Sequence, residues 1–490
     1  MEPEYGNRVS DPVYGSILLS DLELRVIDTP VFQRLRNIKH LGLAHMVYPS
    51  AGFSRFSHSI GVCYLTGRML DVLRAKGCLR SRRRIGQLIQ KYRLAGLLHD
   101  IGHYPFSHCI EEAARDFFTG KLYNGQGRRE AQPGQSPEQQ NQALPHTEVG
   151  RSALENDPQL KKLLTDHGFP PAEVADIFTR EKVNPLDDLI SSDLDADRID
   201  SLLRSSLHTG LPYGTIDSDY LVSQIDLKND QICFSGKAVK AVEHFLISRY
   251  FDYAKVAWHR TVAAFELMLK DVVSALIESE AVKCSEPDIR KKIENEEWVE
   301  FDDNSIMSDI KGILKDPDKH AEPVRLKASA IVNRRPPKLV AEVESFAPRG
   351  GQTARNFDGY LRQLRDKKDE LQRTHGIPET QWFEWTSLGR LSFTELPSQL
   401  PTSDALVRDP DELRASERLC TRILDCEGKP GSIIDNATSM MPELSKYALY
   451  VIRLYVLFPD QKQESDSRME ITNAFRQTMP DLPWTHIKMT

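Results

Sequence analysis

Apolar residues recur at helical spacing through most of the first 280 positions of the chain. Thr29-Pro30 reads as a helix start, a hydroxyl at the cap and Pro at the first helical position, and Phe32, Leu35 and Ile38 then form one apolar face. A second helix is expected from about Ser57 to Ala75, with Ile60, Val62, Leu65, Met69, Val72 and Leu73 inward, and a third from Ile85 to about Asp100. Residues 124–144 (NGQGRREAQPGQSPEQQNQAL) carry few apolar side chains and much Gln, Gly and Pro, the composition of a flexible insertion. Helical periodicity returns over 146–210 and stops at the breaker Gly210-Leu-Pro-Tyr-Gly214. Residues 224–235 read as a hairpin turning at Asn229-Asp230, and a long amphipathic helix or helix pair follows over about 237–280. After 285 the pattern is more charged and mixed. Tyr447–Phe458 (YALYVIRLYVLF), rich in aromatic and β-branched residues, is the best strand in the chain. The expected fold class is mainly α: a helical core over residues 1–284 and a smaller α+β subdomain over 285–490.

Composition narrows this picture only slightly. The 490 residues are 40% hydrophobic and 28% charged, which suits a folded globular chain. The net charge of -7 disfavours a protein that coats nucleic acid, although a local basic groove remains compatible with it. The basic run Arg80, Arg82, Arg83, Arg84 is read as a solvated loop before a helix, with contact to polyphosphate or nucleic acid as the alternative. Seven cysteines lie scattered with no CxxC pair, so reduced cytoplasmic thiols are expected rather than a disulfide scaffold. The N-terminal MEPEYGNRVSD is not a secretory signal, and no apolar stretch is long enough for a membrane span.

Candidate chemistry concentrates in Leu94–His108, LAGLLHDIGHYPFSH. His99 and Asp100 close an otherwise apolar run, where burying them without partners would be costly. His103 falls one helical turn beyond His99 on the same face, and Gly102 removes a side chain where a ligand could approach the backbone. His58 opens an earlier apolar helix. In DLDADRID, Asp193, Asp197 and Asp200 at i, i+4 and i+7 would stack three carboxylates on one helical face, which calls for cations: a metal ion, or Arg198 and Arg204. A single His on an apolar helix is by itself more often a hydrogen-bonded core residue. The ordered set of His, His-Asp and a later Asp carries more weight, because two imidazoles and two carboxylates suit Zn or a first-row transition ion with positions left for water and phosphate.

With SRFSHSIG, LLHDIGHYPFSH and LDADRID, the chain resembles the HD-domain metal-dependent phosphohydrolases. Within them it resembles the branch of bacterial and vertebrate (SAM-and-HD-domain) deoxynucleoside triphosphate triphosphohydrolases. The likeness runs from SDPVYGSI (10–17) through DTPVFQRLRNIKHLG (28–42) to about residue 270, with no SAM domain expected before the core. It implies an HD-domain helical core and His58, His99, Asp100 and Asp197 as metal ligands; spacing alone does not choose Asp197 over Asp193 or Asp195. It further implies His103 and His146 as catalytic histidines, with Glu111 where the vertebrate member has an Asp that orients one of them. Arg55, His108, Arg198, Arg249 and His259 match phosphate-contacting or neighbouring positions. Asp28, Gln33 and Arg36 match positions that bind a guanine nucleotide at an allosteric interface; the plainer reading is a helix cap and two surface residues.

Departures from the family gather where the sugar and base are read. His40 stands in place of a Gln while Leu41 beside it is kept. Ser201 and Ala257 replace tyrosines, and Ser205 replaces an Asp, so the pocket is expected to be wider. The resemblance implies a divalent metal ion (Mn, Fe, Zn, Ni or Mg) as cofactor, a second Mg on the triphosphate, a nucleotide substrate and a nucleotide activator. A cytoplasmic homo-oligomer, dimer or tetramer, without membrane contact is expected with it. Three functions compete: hydrolysis of (deoxy)nucleoside triphosphates to nucleoside and inorganic triphosphate, a phosphodiesterase or nuclease acting on nucleic acid or a nucleotide messenger, and a nucleotide-sensing module with a vestigial centre.

Overall fold

The computed structural model describes residues 5–79, 84–120, 143–180, 184–391, 393 and 420–485. A hairpin opens the chain, β1 (Tyr5–Asp11) against β2 (Gly15–Ser20). Then come α1 (Asp21–Ile27), α2 (Pro30–Gln33), α3 (Arg55–Ala75), α4 (Ile85–Leu98), α5 (His108–Phe118), α6 (His146–Asn156), α7 (Pro158–Asp166), α8 (Pro171–Thr179) and α9 (Ala196–Thr209). After α10 (Ser218–Ser223), β3 (Ile225–Lys228) and β4 (Gln231–Phe234) form the expected hairpin, with Asn229 and Asp230 both at positive φ as the two-residue turn requires. The expected pair over 237–280 is α11 (Val239–Asp252) and α12 (Arg260–Glu278), separated by a π-helical turn at Tyr253–Ala257.

Helices α13 (Glu286–Glu294), α14 (Asp303–Lys315) and α15 (Glu322–Val332) bury Ile289, Ile293, Ile306, Ile310 and Ile331, and the 3-10 turn Glu297–Glu300 buries Trp298, in the same core as α3, α4 and α12. The strand-rich part begins with β5 (Lys338–Pro348), α16 (Gly351–His375) and β6 (Trp382–Leu391). It ends with β7 (Arg422–Leu424), β8 (Pro430–Ser432), α17 (Met441–Leu444), β9 (Tyr447–Val456) and α18 (Gln461–Thr478). The fold is thus mainly helical with a smaller α+β region toward the C-terminus.

Strand β9 is the centre of an antiparallel sheet ordered β5-β9-β6. Its Leu449, Val451 and Tyr455 enter the helical core, while Ala448, Tyr450, Ile452, Leu454 and Val456 enter a second core with α16 and α18. A strand buried on both faces needs apolar residues at both parities, which is why the run reads as continuous. The exception, Arg453, is buried against Glu342, with Nε 2.7 Å from Oε1. A second junction joins the regions: β7 pairs in parallel with β4 through Ile423 and Phe234.

Two expected elements differ in extent. The helix from Pro30 lasts one turn and passes into 3-10 geometry over Arg34–Asn37; Phe32, Leu35 and Ile38 are still fully buried. Thr29 takes the cap position but turns its hydroxyl back to the carbonyl of Val26 at 2.7 Å. Helix α4 stops at Leu98, so His99, Asp100 and His103 lie in turns beyond it rather than on a helical face. Residues 124–142 of the expected insertion, and Arg80, Arg82 and Arg83 of the basic run, lie outside the described residues. No helix among the described residues is long and apolar enough to cross a membrane.

Candidate metal centre and catalytic cavity

Separate stretches of chain bring the four implied ligands together. His58 comes from the first turn of α3, His99 and Asp100 from the turn after α4, and Asp197 from the first turn of α9. His58 Nε2 is 2.9 Å from Asp197 Oδ1 and 3.7 Å from Asp100 Oδ2. His99 Nε2 is 3.4 Å from Asp100 Oδ1 and 3.8 Å from Asp197 Oδ1.

The other nitrogen of each imidazole is already occupied. His58 Nδ1 lies 2.7 Å from Asp200 Oδ2, and His99 Nδ1 lies 2.8 Å from the Gly96 carbonyl. Both acceptors fix the tautomer that turns Nε2 inward, the usual support for a metal-binding imidazole. Both Nε2 atoms are buried and make no hydrogen bond among the described residues. Orphaned buried lone pairs facing two carboxylates are costly by themselves and are relieved by a cation. The residues therefore fit a divalent ion held by two nitrogens and two oxygens.

The carboxylates of the site draw positive charge to the same point. Burial alone would raise the Asp100 carboxyl and lower the His58 imidazole. Instead Arg55 and the histidines hold Asp100 well below its usual range, and the adjacent carboxylates of Asp197 and Asp200 push His58 up to about 9. Asp197, likewise buried, is held at about 2, chiefly by His58.

The three aspartates do not share a helical face. Helix α9 starts only at Ala196, with Asp195 as its cap, so Asp193 lies before it. Each carboxylate has its own cations. Asp193 Oδ1 takes Arg249 Nη1 at 2.6 Å and Arg198 Nη1 at 3.3 Å; Asp200 Oδ2 takes Arg204 Nε at 2.7 Å as well as His58. Arg204 is tied in turn to Asp11 at 2.7 Å. Gly61 makes room for this buried array, since a Cβ there would sit 1.9 Å from Asp200 Oδ1.

Gly102 serves a different purpose from the one its sequence context suggested. A Cβ on it would lie 2.1 Å from Gly150 N and 2.2 Å from the His146 carbonyl. The backbone that approaches is that of α6, and the approach brings His146 to the site. His146 stacks on His103 with ring centroids 4.0 Å apart and an 18° tilt. Glu111 reaches across from α5: its Oε2 is 3.0 Å from His146 Nδ1 and 3.3 Å from His108 Nδ1. The longer side chain therefore does span the gap. His103, His108, Glu111 and His146 offer donor atoms within 4.8 Å of one another. Stacked rings direct their in-plane lone pairs almost parallel, however, which suits a hydrogen-bonded relay better than a chelate. Burial and the neighbouring Arg55 keep His103 well below the usual imidazole range.

A strained turn links the two halves of the site. Phe106 and Ser107 take consecutive positive φ values of 51° and 57°, a conformation costing on the order of 1–3 kcal/mol per non-glycine residue. Asp303, from α14, holds it by accepting from Phe106 N at 2.6 Å and Lys39 N at 3.0 Å. Arg55 Nε donates to Ser107 Oγ at 2.9 Å while its Nη1 binds Asp100. Arg34, stacked on Trp298, donates to the His103 carbonyl at 2.7 Å.

A cavity of about 400 Å³ opens over these groups. Of the implied substrate contacts it takes in His40, Leu41, Arg55, His108, Arg198 and Arg249 and leaves His259 outside. His259 caps α12, its Nδ1 accepting from Thr261 N at 3.2 Å. Arg55 directs Nη1 to Asp100 and Nε to Ser107. His40 Nε2 meets Ser201 Oγ at 2.9 Å. The cavity also includes Asp252 and Glu266, which sequence reasoning missed; burial pushes both carboxyls up to about 7. They come from helices without a recognisable motif, and only the packing of α11 and α12 brings them here. A cleft of about 870 Å³ adjoins the cavity, sharing His108, Tyr253, Ala257 and Glu266.

Of the three residues of the implied regulatory site, Asp28 and Arg36 are exposed and Gln33 is half-buried. Asp28 ends α1, Gln33 Nε2 donates to the Ile27 carbonyl at 2.7 Å, and Arg36 Nε donates to Gln33 Oε1 at 2.6 Å. The Arg36 guanidinium lies 3.6 Å from the centroid of Phe56.

This arrangement defines an HD-domain protein. Residues 55–202 match the family described as "HD domain" and residues 216–317 the one described as "HD associated region", so the chain carries an HD domain followed by its associated region. It is 32% identical over 269 residues to an uncharacterized protein of Methanocaldococcus jannaschii, covering 54% of this chain and 49% of that one. To the deoxynucleoside triphosphate triphosphohydrolase SAMHD1 homolog of Dictyostelium discoideum it is 27% identical over 277 residues, 54% of this chain and 48% of that protein. The chain spans about half the length of these two curated relatives. The fold is similar to that of a hypothetical protein from Aquifex aeolicus, with a TM-score of 0.66 and 21% identity over 96% of this chain and 99% of that one.

Proposed function

We propose that the protein is a metal-dependent phosphohydrolase that splits (deoxy)nucleoside triphosphates into nucleoside and inorganic triphosphate. The observation that carries this reading is the convergence of His58, His99, Asp100 and Asp197, the last three lining one cavity with Arg198 and Arg249. The name of the Dictyostelium discoideum relative supports the choice of substrate.

A divalent ion bound by the four ligands would polarise a phosphoryl oxygen and make water a better nucleophile. Arg198 and Arg249 bind the phosphate oxygens with planar donors. Glu111 holds the Nδ1 proton of His146, which leaves Nε2 for proton transfer at the leaving oxygen. His103, kept neutral by burial, stacks on His146 and bonds Asp100 Oδ1 at 3.1 Å, so it orients both halves of the site.

A second reading, a phosphodiesterase with a larger substrate, is favoured by the adjoining cleft. The retained ligand set disfavours a vestigial centre. Nucleotide activation through Asp28, Gln33 and Arg36, homo-oligomer formation and a second Mg on the triphosphate complete the proposal. The test is product analysis with Mn²⁺-loaded protein on deoxynucleotides, ribonucleotides and single-stranded DNA, each with and without GTP. Inorganic triphosphate is the expected product; monophosphate or shortened DNA would replace this reading by the second, and no turnover would remove both.

A further inference from the structure

Helix α9 carries Asp197, Ser201 and Ser205 at i, i+4 and i+8. They form one stripe, rising about 6 Å per step away from the metal ligands. Ser201 is bonded to His40, and Ser205 donates its hydroxyl proton to Asp252 Oδ1. Asp252 follows Arg249 on α11 by three residues, so the two side chains are neighbours on one helical face. Both line the catalytic cavity, while Ser205 is fully buried behind it.

Asp252 differs from the other carboxylates of the site. Asp100 and Asp197 belong to the ligand set, and Asp193 is tied to Arg249 and Arg198. Asp252 has one oxygen fixed by Ser205, and its Oδ2 makes no hydrogen bond among the described residues. Burial pushes its carboxyl up to about 7 despite the nearby Arg249. An uncommitted carboxylate oxygen facing the cavity gains from a donor on a bound molecule. In a nucleotide with its α-phosphate at Arg249, the next unit along the molecule is the sugar.

We infer that Asp252, oriented by Ser205, determines substrate specificity by accepting a hydrogen bond from a sugar hydroxyl of the bound nucleotide. The inference rests on the nucleotide reading above. Ser205 acts through Asp252 and is a positioning residue.

Equilibrium binding measures this without turnover, using calcium as the divalent ion and the four deoxynucleoside triphosphates beside their 2′,3′-dideoxy counterparts. Wild-type protein is expected to prefer the hydroxyl-bearing set by roughly tenfold or more. Asp252→Ala should bring that ratio to about one and leave dideoxy affinity unchanged, and Ser205→Ala should lower it part of the way. Circular dichroism melts verify folding, and Asp252→Asn serves as the milder variant if the alanine form does not fold. A preference equal in wild type and Asp252 variants overturns the inference, as does its absence from wild type. Tight binding with the expected ratios but no hydrolysis under Mn²⁺ would overturn the hydrolytic reading and uphold the role of Asp252. Failure to bind any nucleotide overturns both.

Discussion

The two ends of the catalytic cavity are built differently. At the metal end the imidazoles are held from behind: His58 by Asp200, Asp200 by Arg204, Arg204 by Asp11, and His99 by a backbone carbonyl. Away from the metal ligands several side chains are small or sparsely tied: Ser201, Ala257 and an Asp252 that has one committed oxygen. Chemistry on a phosphate tolerates little misplacement, so its groups are preorganised. Recognition of the attached group is left to a few replaceable contacts. One framework can thereby keep its reaction while its substrate changes.

Substitutions that respect or violate this division should differ in kind. The largest effect expected short of removing a metal ligand is from His146→Ala, a fall in kcat of about 10²–10⁴ with little change in KM, read in steady-state kinetics. An equal loss confined to KM would move His146 to the binding side of the comparison. Asp200→Asn keeps the shape around His58 but weakens its support, and metal affinity should fall by about 10–100-fold in chelator competition. Unchanged affinity would mean that the array behind the ligands contributes nothing to binding.

Asp303→Ala should cost about 1–3 kcal/mol of stability in denaturant unfolding, because two buried backbone N–H groups at Lys39 and Phe106 lose their acceptor. A neutral result there would show that the Phe106–Ser107 turn is held without Asp303. The smallest effect concerns Asp252. Its folded pKa of about 7 exceeds the ordinary carboxylate value, so between pH ~4 and pH 7 the folded state holds more protons and stability falls as pH rises. Asp252→Asn should flatten that slope and leave the protein about 1 kcal/mol more stable than wild type at pH 8 after allowance for solvent screening. Parallel stability curves for the two proteins would contradict this.

Much of the architecture was legible in the sequence because it follows from local pattern. The α3 helix, the Asn229-Asp230 hairpin turn and the β9 strand are each specified by periodicity or turn chemistry within a few residues. The same reasoning misjudged Gly102, because the close partner that forbids a side chain there is Gly150 on another helix. It stacked Asp193 with Asp197 because nothing local shows that α9 begins at Ala196, capped by Asp195. Asp252, Glu266 and Asp303 carry no motif and reach the site only through tertiary packing, so no spacing rule could have found them. The support that α14 gives to the site belongs to the same category: it is visible only once distant segments are seen side by side.

The central claim is that four side chains share one cation, and metal content tests it most directly. Protein loaded with Mn²⁺ or Zn²⁺, dialysed and measured by elemental analysis should retain about one ion per chain, and Asp197→Ala and His58→Ala, folded by circular dichroism, should retain almost none. Wild-type protein that holds no ion after loading, or variants that hold as much as wild type, would contradict the account.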